Sequence, residues 1–192
     1  MKKVMTCLLL FTSLLSLSQD QDSTFRKPNT EIEKVVIKIG TVIKKEFINV
    51  YTNTPKGIFT DYGNVEVKIL NLTDASSKIT ISGLSISNSS GYSSFIDLDE
   101  IPGLLKFIEL LNKIDSEKPE NYTEYIFNSK DLQIYAYFSS DTYKKAPLYW
   151  HYGIKIDKYY SRSGSRVELK VLNEIREAII NSKSKFSILP DF

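Results

Sequence analysis

The stretch that most constrains the fold runs from Ser93 to Ile114, where a short strand pattern passes directly into an amphipathic helix pattern. Its apolar residues recur at helical spacing, which is typical of a helix that packs one face against a sheet. A second stretch, Ser165 to Ser184, has the same order of strand and helix. The rest of the chain is patterned as strands and turns. The sequence therefore predicts an α+β fold, mainly antiparallel sheet, with a duplicated β-β-β-β-α unit and helices at about 98–114 and 171–183.

The start of the first helix carries three acidic residues. Asp97 and Glu100 have the spacing of a capping box, with Asp in place of the usual Ser or Thr. Asp97, Asp99 and Glu100 also suit the positive end of the helix dipole. The alternative is a metal or general-acid site built from the same carboxylates. We favour the capping interpretation.

The chain begins with a pattern typical of a secretory signal. Lys2 and Lys3 precede an apolar run from Leu8 to Leu17, and small residues allow cleavage before Gln19. A buried first helix is the alternative. The single cysteine of the chain lies inside this signal, so the mature protein is expected to have no disulfide and no cysteine nucleophile or metal ligand. We expect an exported protein, periplasmic or extracellular, with no membrane span after cleavage.

The predicted domain layout follows from these features. Residues 1–18 form the signal peptide, 19–31 a flexible mature N-terminus, 32–114 the first unit, 115–121 a linker, and 122–192 the second unit. The segment from Ile32 to Thr52 fits a helical stripe, but its Val, Ile and Thr content favours strand. A break in alternation around Gly83 suggests a β-bulge.

Charge argues against a nucleic-acid binder. The chain has 25 basic and 23 acidic residues, a formal net charge of +2. Removing Lys2 and Lys3 with the signal leaves 25 − 2 = 23 basic residues against 23 acidic ones. Proteins that bind nucleic acid usually show a clear basic excess.

Few residues in the sequence are suited to catalysis. His151 is the only histidine, so a catalytic triad would need it as the base. The sequence lacks a G-x-S-x-G elbow, an H-E-x-x-H pair and a P-loop. One histidine cannot supply a His-rich metal shell. We therefore expect no cofactor or metal, favour a non-enzymatic protein, and interpret His151 as a surface residue.

Aromatic residues are concentrated in the second unit, where nine of the twelve tyrosines lie between Tyr122 and Tyr160. Strand alternation sorts them onto two faces. The core face is expected to contain Leu132, Ile134, Ala136, Phe138, Trp150, Tyr152, Ile154 and Ile156. The opposite face would then carry Gln133, Tyr135, Tyr137, Tyr149, His151, Gly153 and Lys155. This face suits sugars, peptides or a partner sheet; alternatively, it packs between the two units or serves only to stabilise the sheet.

A polar segment, Ser161 to Arg166, follows the last of these strands. Its backbone donors with Arg162 and Arg166 could hold an anion. A hairpin turn with solvated charges is the commoner explanation of such a sequence.

Three segments resemble a family of uncharacterised exported proteins from Bacteroidota-type bacteria: YSSFIDLDEIPGLLKFIELLNKI, KKEFINV and VLNEIREAIINSKSKF. The resemblance covers most of the mature chain. It implies a strand, a Gly-containing helix and a sheet-rich tail that closes with a helix, and it implies no activity. The order of four strands and a helix is also similar to Whirly-type and Pur-type domains, which bind single-stranded nucleic acid.

The first functional hypothesis is therefore a binding module that uses the Tyr135, Tyr137 and His151 face. Its partner would be a cell-envelope glycan, a peptide or a protein. The alternatives are a His151-dependent hydrolase and Whirly-like single-strand binding.

Overall fold

The computed structural model describes residues 27–53, 63–139, 148–158, 164–188 and 192. The predicted signal peptide lies outside the described residues. Within them, the chain forms two four-stranded antiparallel sheets together with three α-helices.

The first unit begins with a short helix, α1 (Glu31–Val36), and continues as a sheet whose strands follow one another in chain order. A 3-10 turn, Leu98–Glu100, leads from the last strand into helix α2 (Ile101–Ile114). The strands are β1 (Ile43–Asn53), β2 (Val65–Asp74), β3 (Thr80–Ser87) and β4 (Ser93–Asp97).

The second unit repeats this plan. Its strands also pair in chain order, and helix α3 (Leu169–Asn181) follows the last of them. A 3-10 turn, Lys183–Lys185, comes after α3. The strands are β5 (Thr123–Asn128), β6 (Gln133–Ser139), β7 (Tyr149–Lys155) and β8 (Gly164–Val167).

The repeated order of elements confirms the predicted α+β fold with its duplicated unit. The first helical segment covers residues 98–114 as expected. The second begins two residues earlier than predicted, because Leu169 and Lys170 already belong to α3. The stretch from Asp115 to Asn121, the predicted linker, joins α2 to the second sheet.

One hydrophobic core serves both units. It contains the inner face of each sheet and the apolar faces of α2 and α3. All eight residues expected on the core face of the second sheet are buried in it. The burial pattern of β6, in which buried and half-buried residues alternate, is that of a strand with one face on the core.

Helix α1 corrects the strand prediction for the segment that starts at Ile32. Thr30 and Glu33 form a capping box, in which Glu33 N–H donates to Thr30 Oγ1 at 3.0 Å and Thr30 N–H donates to the Glu33 carboxylate, also at 3.0 Å. Local capping therefore outweighs the strand preference of the β-branched residues here. Thr30 and Glu31, the last residues of the N-terminal segment expected to be flexible, belong to this cap and helix. Strand structure begins only at Ile43.

Helix α1 covers the outer face of the first sheet. Ile32 is fully buried and packs with Leu70 and Leu72 in a second, smaller core. The β2–β3 register is continuous through Gly83, so the expected bulge at Gly83 is wrong. A Cβ at Gly83 would lie 2.4 Å from the Ile96 carbonyl oxygen on β4 and 2.5 Å from Ile32 Cδ1, so the glycine is required by the close approach of β4 and also leaves room for Ile32 of α1. A register shift occurs instead on β1, between Asn49 and Tyr51.

Polar contacts join the end of β4 to the second unit. Phe95 N–H donates to the Asp131 carboxylate at 3.1 Å, and Asp157 N–H donates to Ser94 Oγ at 2.8 Å. The β4 edge of the first sheet is thereby contacted by the turn between β5 and β6 and by the residues after β7.

No helix among the described residues is long and apolar enough to cross a membrane.

Candidate functional site

The outer face of the second sheet carries the aromatic residues that the alternation predicts. Tyr137 lies opposite His151 in the β6–β7 register, and Tyr135 lies opposite Gly153. Tyr149, at the start of β7, lies opposite Ser139. These side chains do not belong to the shared core. The structure therefore brings Tyr135, Tyr137, Tyr149 and His151 together on one face, and the alternative in which the two units pack this face between them is not observed, because their shared core contains the opposite face of the sheet.

One exposed aromatic residue was missed by the sequence interpretation. The Tyr122 ring, just before β5, lies 6.3 Å from the Tyr137 ring, and Tyr122 is 67% exposed. The alternation of Tyr122, Glu124 and Ile126 could have placed it on the outer face, because Ile126 is opposite Tyr135. We call the set Tyr122, Tyr135, Tyr137, Tyr149 and His151 the aromatic face.

The rings of the aromatic face contact one another. His151 stacks on Tyr137 with a centroid distance of 4.7 Å and an interplanar angle of 17°. Tyr149, two residues before His151 on β7, has its ring 4.1 Å from the His151 ring, and the Tyr135 ring lies 6.1 Å from the Tyr137 ring. Because the His151 ring covers one face of the Tyr137 ring, that face is closed to a flat ligand.

The Tyr135 ring packs over Gly153 on the neighbouring strand. A Cβ at Gly153 would lie 2.4 Å from both Cζ and the hydroxyl oxygen of Tyr135, so the phenol ring occupies the space that a side chain would fill. Burial, and to a lesser extent the neighbouring Tyr137, raises the pKa of the Tyr135 hydroxyl. Tyr135 therefore stays protonated at neutral pH and offers a neutral hydroxyl group.

His151 is buried, with only 5% of the residue exposed, which corrects its interpretation as a surface residue. Its Nε2 lies 3.2 Å from the Ser139 carbonyl oxygen, and its Nδ1 contacts the Arg166 guanidinium. Since a carbonyl only accepts, Nε2 carries the proton; Arg166 then donates to the unprotonated Nδ1. Both ring nitrogens are engaged in this arrangement, and the lone pair that a general base needs faces a guanidinium.

Two of the three basic residues predicted for this surface, Lys155 and Arg166, lie among the described residues. Arg166 lies on β8 opposite Gly153, and its guanidinium is 3.5 Å from the Tyr149 hydroxyl oxygen. Lys155 lies opposite Gln133 at the far end of β7 and is half-buried. Arg162 and half of the polar segment proposed to hold an anion, residues 161–163, lie outside the described residues.

The acidic residues at the start of α2 form a second polar cluster. Glu100 accepts from Asp97 N–H at 3.1 Å, and the two residues form the predicted capping box. The Asp97 carboxylate also accepts from the N–H groups of Glu31 and Ile32, at 2.9 and 3.3 Å. Asp97 therefore caps α1 as well, a contact across 66 residues that no local pattern indicates.

Lys130 is the cation of this cluster. Carboxylate oxygens of Asp97, Asp99 and Glu100 lie within 4.8 Å of one another. The Lys130 ammonium is 2.7 Å from Asp97 and 3.5 Å from Asp99. Its hydrogen bond to Asp97 raises the pKa of Lys130, whereas burial raises the pKa of Glu100. These contacts support the capping interpretation over the metal or general-acid one, because an ammonium and backbone donors already satisfy the buried carboxylate.

A groove of about 470 Å³ lies beside this cluster, between α1, β3 and the start of α2. Ile81, Leu98, Pro102 and Ile188 give it apolar walls, and Asp99 lies at its acidic side. The sequence did not indicate it, because its walls come from four separate parts of the chain.

Sequence comparisons give no further guide to the site: a scan against protein-family models finds no match, and a search of curated proteins finds no significantly similar sequence.

Proposed function

We propose that the protein is an exported, non-enzymatic binding module that contacts a protein or peptide partner through the aromatic face. The observation that carries this proposal is the exposure of Tyr122 and Tyr149 beside Ile126 and Arg166. Tyr122 is 67% exposed, Tyr149 38% and Ile126 44%. Tyrosine and arginine are enriched in protein interfaces and among the residues that contribute most to binding.

A polypeptide partner fits this surface better than a glycan. A sugar ring stacks on an open aromatic face, but one of the two faces of the Tyr137 ring is covered by His151. Phenol hydroxyls, an aliphatic side chain and a guanidinium suit a partner that offers apolar side chains and hydrogen-bonding groups of its own.

The proposal is tested by selecting a random-peptide phage library on the purified protein. Selected peptides should bind the Tyr122→Ser, Tyr149→Ser double variant about tenfold or more weakly, the loss typical of exposed anchor residues. Phe47→Ser is the matched control, since Phe47 is an exposed aromatic residue on the first sheet. Peptides that bind the double variant as well as wild type would contradict the proposal. A glycan array is run in parallel. If only carbohydrates bind, and the double variant no longer binds them, the partner is a carbohydrate and not a peptide.

Export rests on the N-terminal sequence. We expect the protein recovered from a secreting bacterial host to lie outside the cytoplasm and to begin at Gln19. Mass spectrometry of the protein in the cytoplasmic and the secreted fractions checks both points. A product that keeps Met1 and stays in the cytoplasm would contradict export and leave the binding proposal open.

The two alternative functions stay predictions. A His151-dependent hydrolase draws little support from the site, because both ring nitrogens of His151 are engaged. A hydrolase screen with His151→Ala tests it. Whirly-like binding predicts single-strand affinity that falls steeply with salt, and near-equal numbers of basic and acidic residues weigh against it.

A further inference from the structure

We propose that the end of the first sheet beside α1 is a membrane-docking surface that binds anionic lipid bilayers. Four aliphatic residues, Ile37, Ile39, Val42 and Ile79, are exposed there. Ile39 is 97% exposed, Val42 72%, and Ile37 and Ile79 59% each. We call these four residues the aliphatic tip. The surface is separate from the aromatic face, which lies on the second sheet.

Backbone hydrogen bonds bring the aliphatic tip together around Asp74. Ala75 N–H donates to the Val42 carbonyl oxygen at 2.9 Å, and Asp74 N–H donates to the Ile79 carbonyl oxygen at 3.0 Å. The Lys38 ammonium, between Ile37 and Ile39 in sequence, lies 3.2 Å from the Asp74 carboxylate. The turn after β2 therefore joins residues from two separate segments of the chain into one surface.

Ile39 is presented by a tight turn. The Thr41 hydroxyl donates to the Lys38 carbonyl oxygen at 2.9 Å, and Gly40 adopts a positive φ of 78°. Lys78 in the neighbouring turn also has a positive φ, 56°, which is uncommon for a residue with a side chain. These two turns hold aliphatic and basic side chains outward at one end of the sheet.

Lysines surround the aliphatic tip. Lys44 and Lys45 follow Val42 at the start of β1, Lys78 precedes Ile79, and all three are exposed. Lys38 adds a fourth ammonium that is paired with Asp74. Lys34, one helical turn before Lys38, forms an ion pair with Glu31. Glu46, next to Lys45, is also exposed, so Lys44, Lys45 and Lys78 leave a local excess of positive charge, although the whole chain is close to neutral.

The combination of exposed aliphatic residues and a lysine rim matches the chemistry of an anionic bilayer. Aliphatic side chains partition into the boundary between headgroups and acyl chains. Each lysine near a negatively charged leaflet strengthens binding by about fivefold, and salt weakens this contribution. An aliphatic patch of this kind on a protein surface commonly marks a membrane or protein interaction site. The positive rim favours the membrane.

The test is co-sedimentation of the purified protein with two kinds of vesicle, phosphatidylcholine alone and phosphatidylcholine mixed with phosphatidylglycerol. We expect binding to the mixed vesicles only, and weaker binding in higher salt. Ile39→Ser with Val42→Ser should lower the affinity by about tenfold or more. Lys44→Gln with Lys45→Gln should lower it by about 25-fold, since two lysines contribute about fivefold each.

Matched controls separate the surface from general changes in charge or hydrophobicity. Lys106→Gln with Lys118→Gln removes the same charge from other exposed sites, and Leu110→Ser removes an exposed aliphatic residue of α2. Both controls should bind like wild type. Absence of vesicle binding, equal binding to neutral vesicles, or equal losses in the control variants would each overturn the proposal.

Discussion

The two sheets have the same four-strand order but treat their outer faces differently. On the first sheet, the outward residues Leu70 and Leu72 are fully aliphatic and are covered by α1. On the second sheet, the outward residues Tyr135 and Tyr137 are half-buried and are not part of either core, and His151 is buried among the rings of Tyr137 and Tyr149 and the Arg166 guanidinium. One face is closed by packing within the chain, and the other remains a surface.

This difference follows from the chemistry of the side chains. An aliphatic face gains free energy when it leaves water, so α1 and its buried Ile32 complete the first unit. A tyrosine buries its ring against neighbours and keeps its hydroxyl available for hydrogen bonds. The second unit therefore needs no covering helix to satisfy these residues. We place binding on the second sheet for this reason.

The largest expected effect on the free energy of unfolding comes from Ile32, the residue of α1 that is buried against the first sheet. Ile32→Ala should lower the free energy of unfolding by about 3 kcal/mol, because it leaves a cavity between α1 and the sheet. The matched change on the second sheet, Ile126→Ala, should cost about 0.5 kcal/mol or less, since Ile126 is 44% exposed. Urea denaturation followed by far-UV circular dichroism measures both. Equal losses would show that the two outer faces do not differ as described.

The next effect concerns the attachment of α1. Asp97→Ala should cost about 2 kcal/mol, because it removes the acceptor for two N–H groups of α1 and the partner of Lys130. Asp99→Ala is the control: Asp99 also faces Lys130 but its side chain is 73% exposed, so a loss below about 0.5 kcal/mol is expected. The same denaturation experiment applies. If both variants lose equal stability, Asp97 has no special role in holding α1.

A smaller effect is expected on the aromatic face itself. Gly153→Ala should cost about 1 kcal/mol, because the new Cβ would displace the Tyr135 ring. In a Gly153→Ala, Tyr135→Ala double variant that clash disappears, so the two changes should not add. A double-mutant cycle on the free energies of unfolding measures the coupling. Additive losses would contradict the packing of Tyr135 on Gly153.

The smallest effect is on how the stability depends on pH, and it comes from Asp74 at the end of β2 in the first sheet. The N–H of Ser76, the hydroxyl and N–H of Ser77, and Lys38 lower the pKa of Asp74 from 3.8 to about 2. A carboxyl with a lowered pKa contributes stability above its unfolded pKa of about 4, and this contribution is lost as the pH falls towards 2. Asp74→Asn should therefore flatten the loss of stability between pH 4 and 2. Denaturation curves in that range check it, and an unchanged acid limb in the variant would count against this role.

Local patterns predicted the repeated unit and the placement of most second-sheet residues. Alternation assigned Trp150 and Ile154 to the core and Tyr137 and His151 to the opposite face, because adjacent strands in a register share their faces. The capping spacing of Asp97 and Glu100 also indicated the start of α2 correctly.

The features that the sequence did not predict depend on contacts between distant segments. Asp97 caps α1 across 66 residues, and Gly83 permits close approach of the Ile96 carbonyl oxygen and of Ile32 instead of forming a bulge. His151 looked like a surface residue because alternation assigns a face but not the depth of a side chain on it. Its burial results from the Tyr137 and Tyr149 rings and from Arg166, three residues on three different strands.

The most direct test of binding through the second sheet is an NMR titration of the ¹⁵N,¹³C-labelled protein with a selected peptide. We predict that chemical-shift changes concentrate on Tyr122, Ile126, Tyr149 and their strand neighbours, while Ile32, Leu70 and Leu72 stay unchanged. Changes concentrated instead on Ile81, Leu98 and Pro102 would place the binding site in the groove beside α1 and contradict the account.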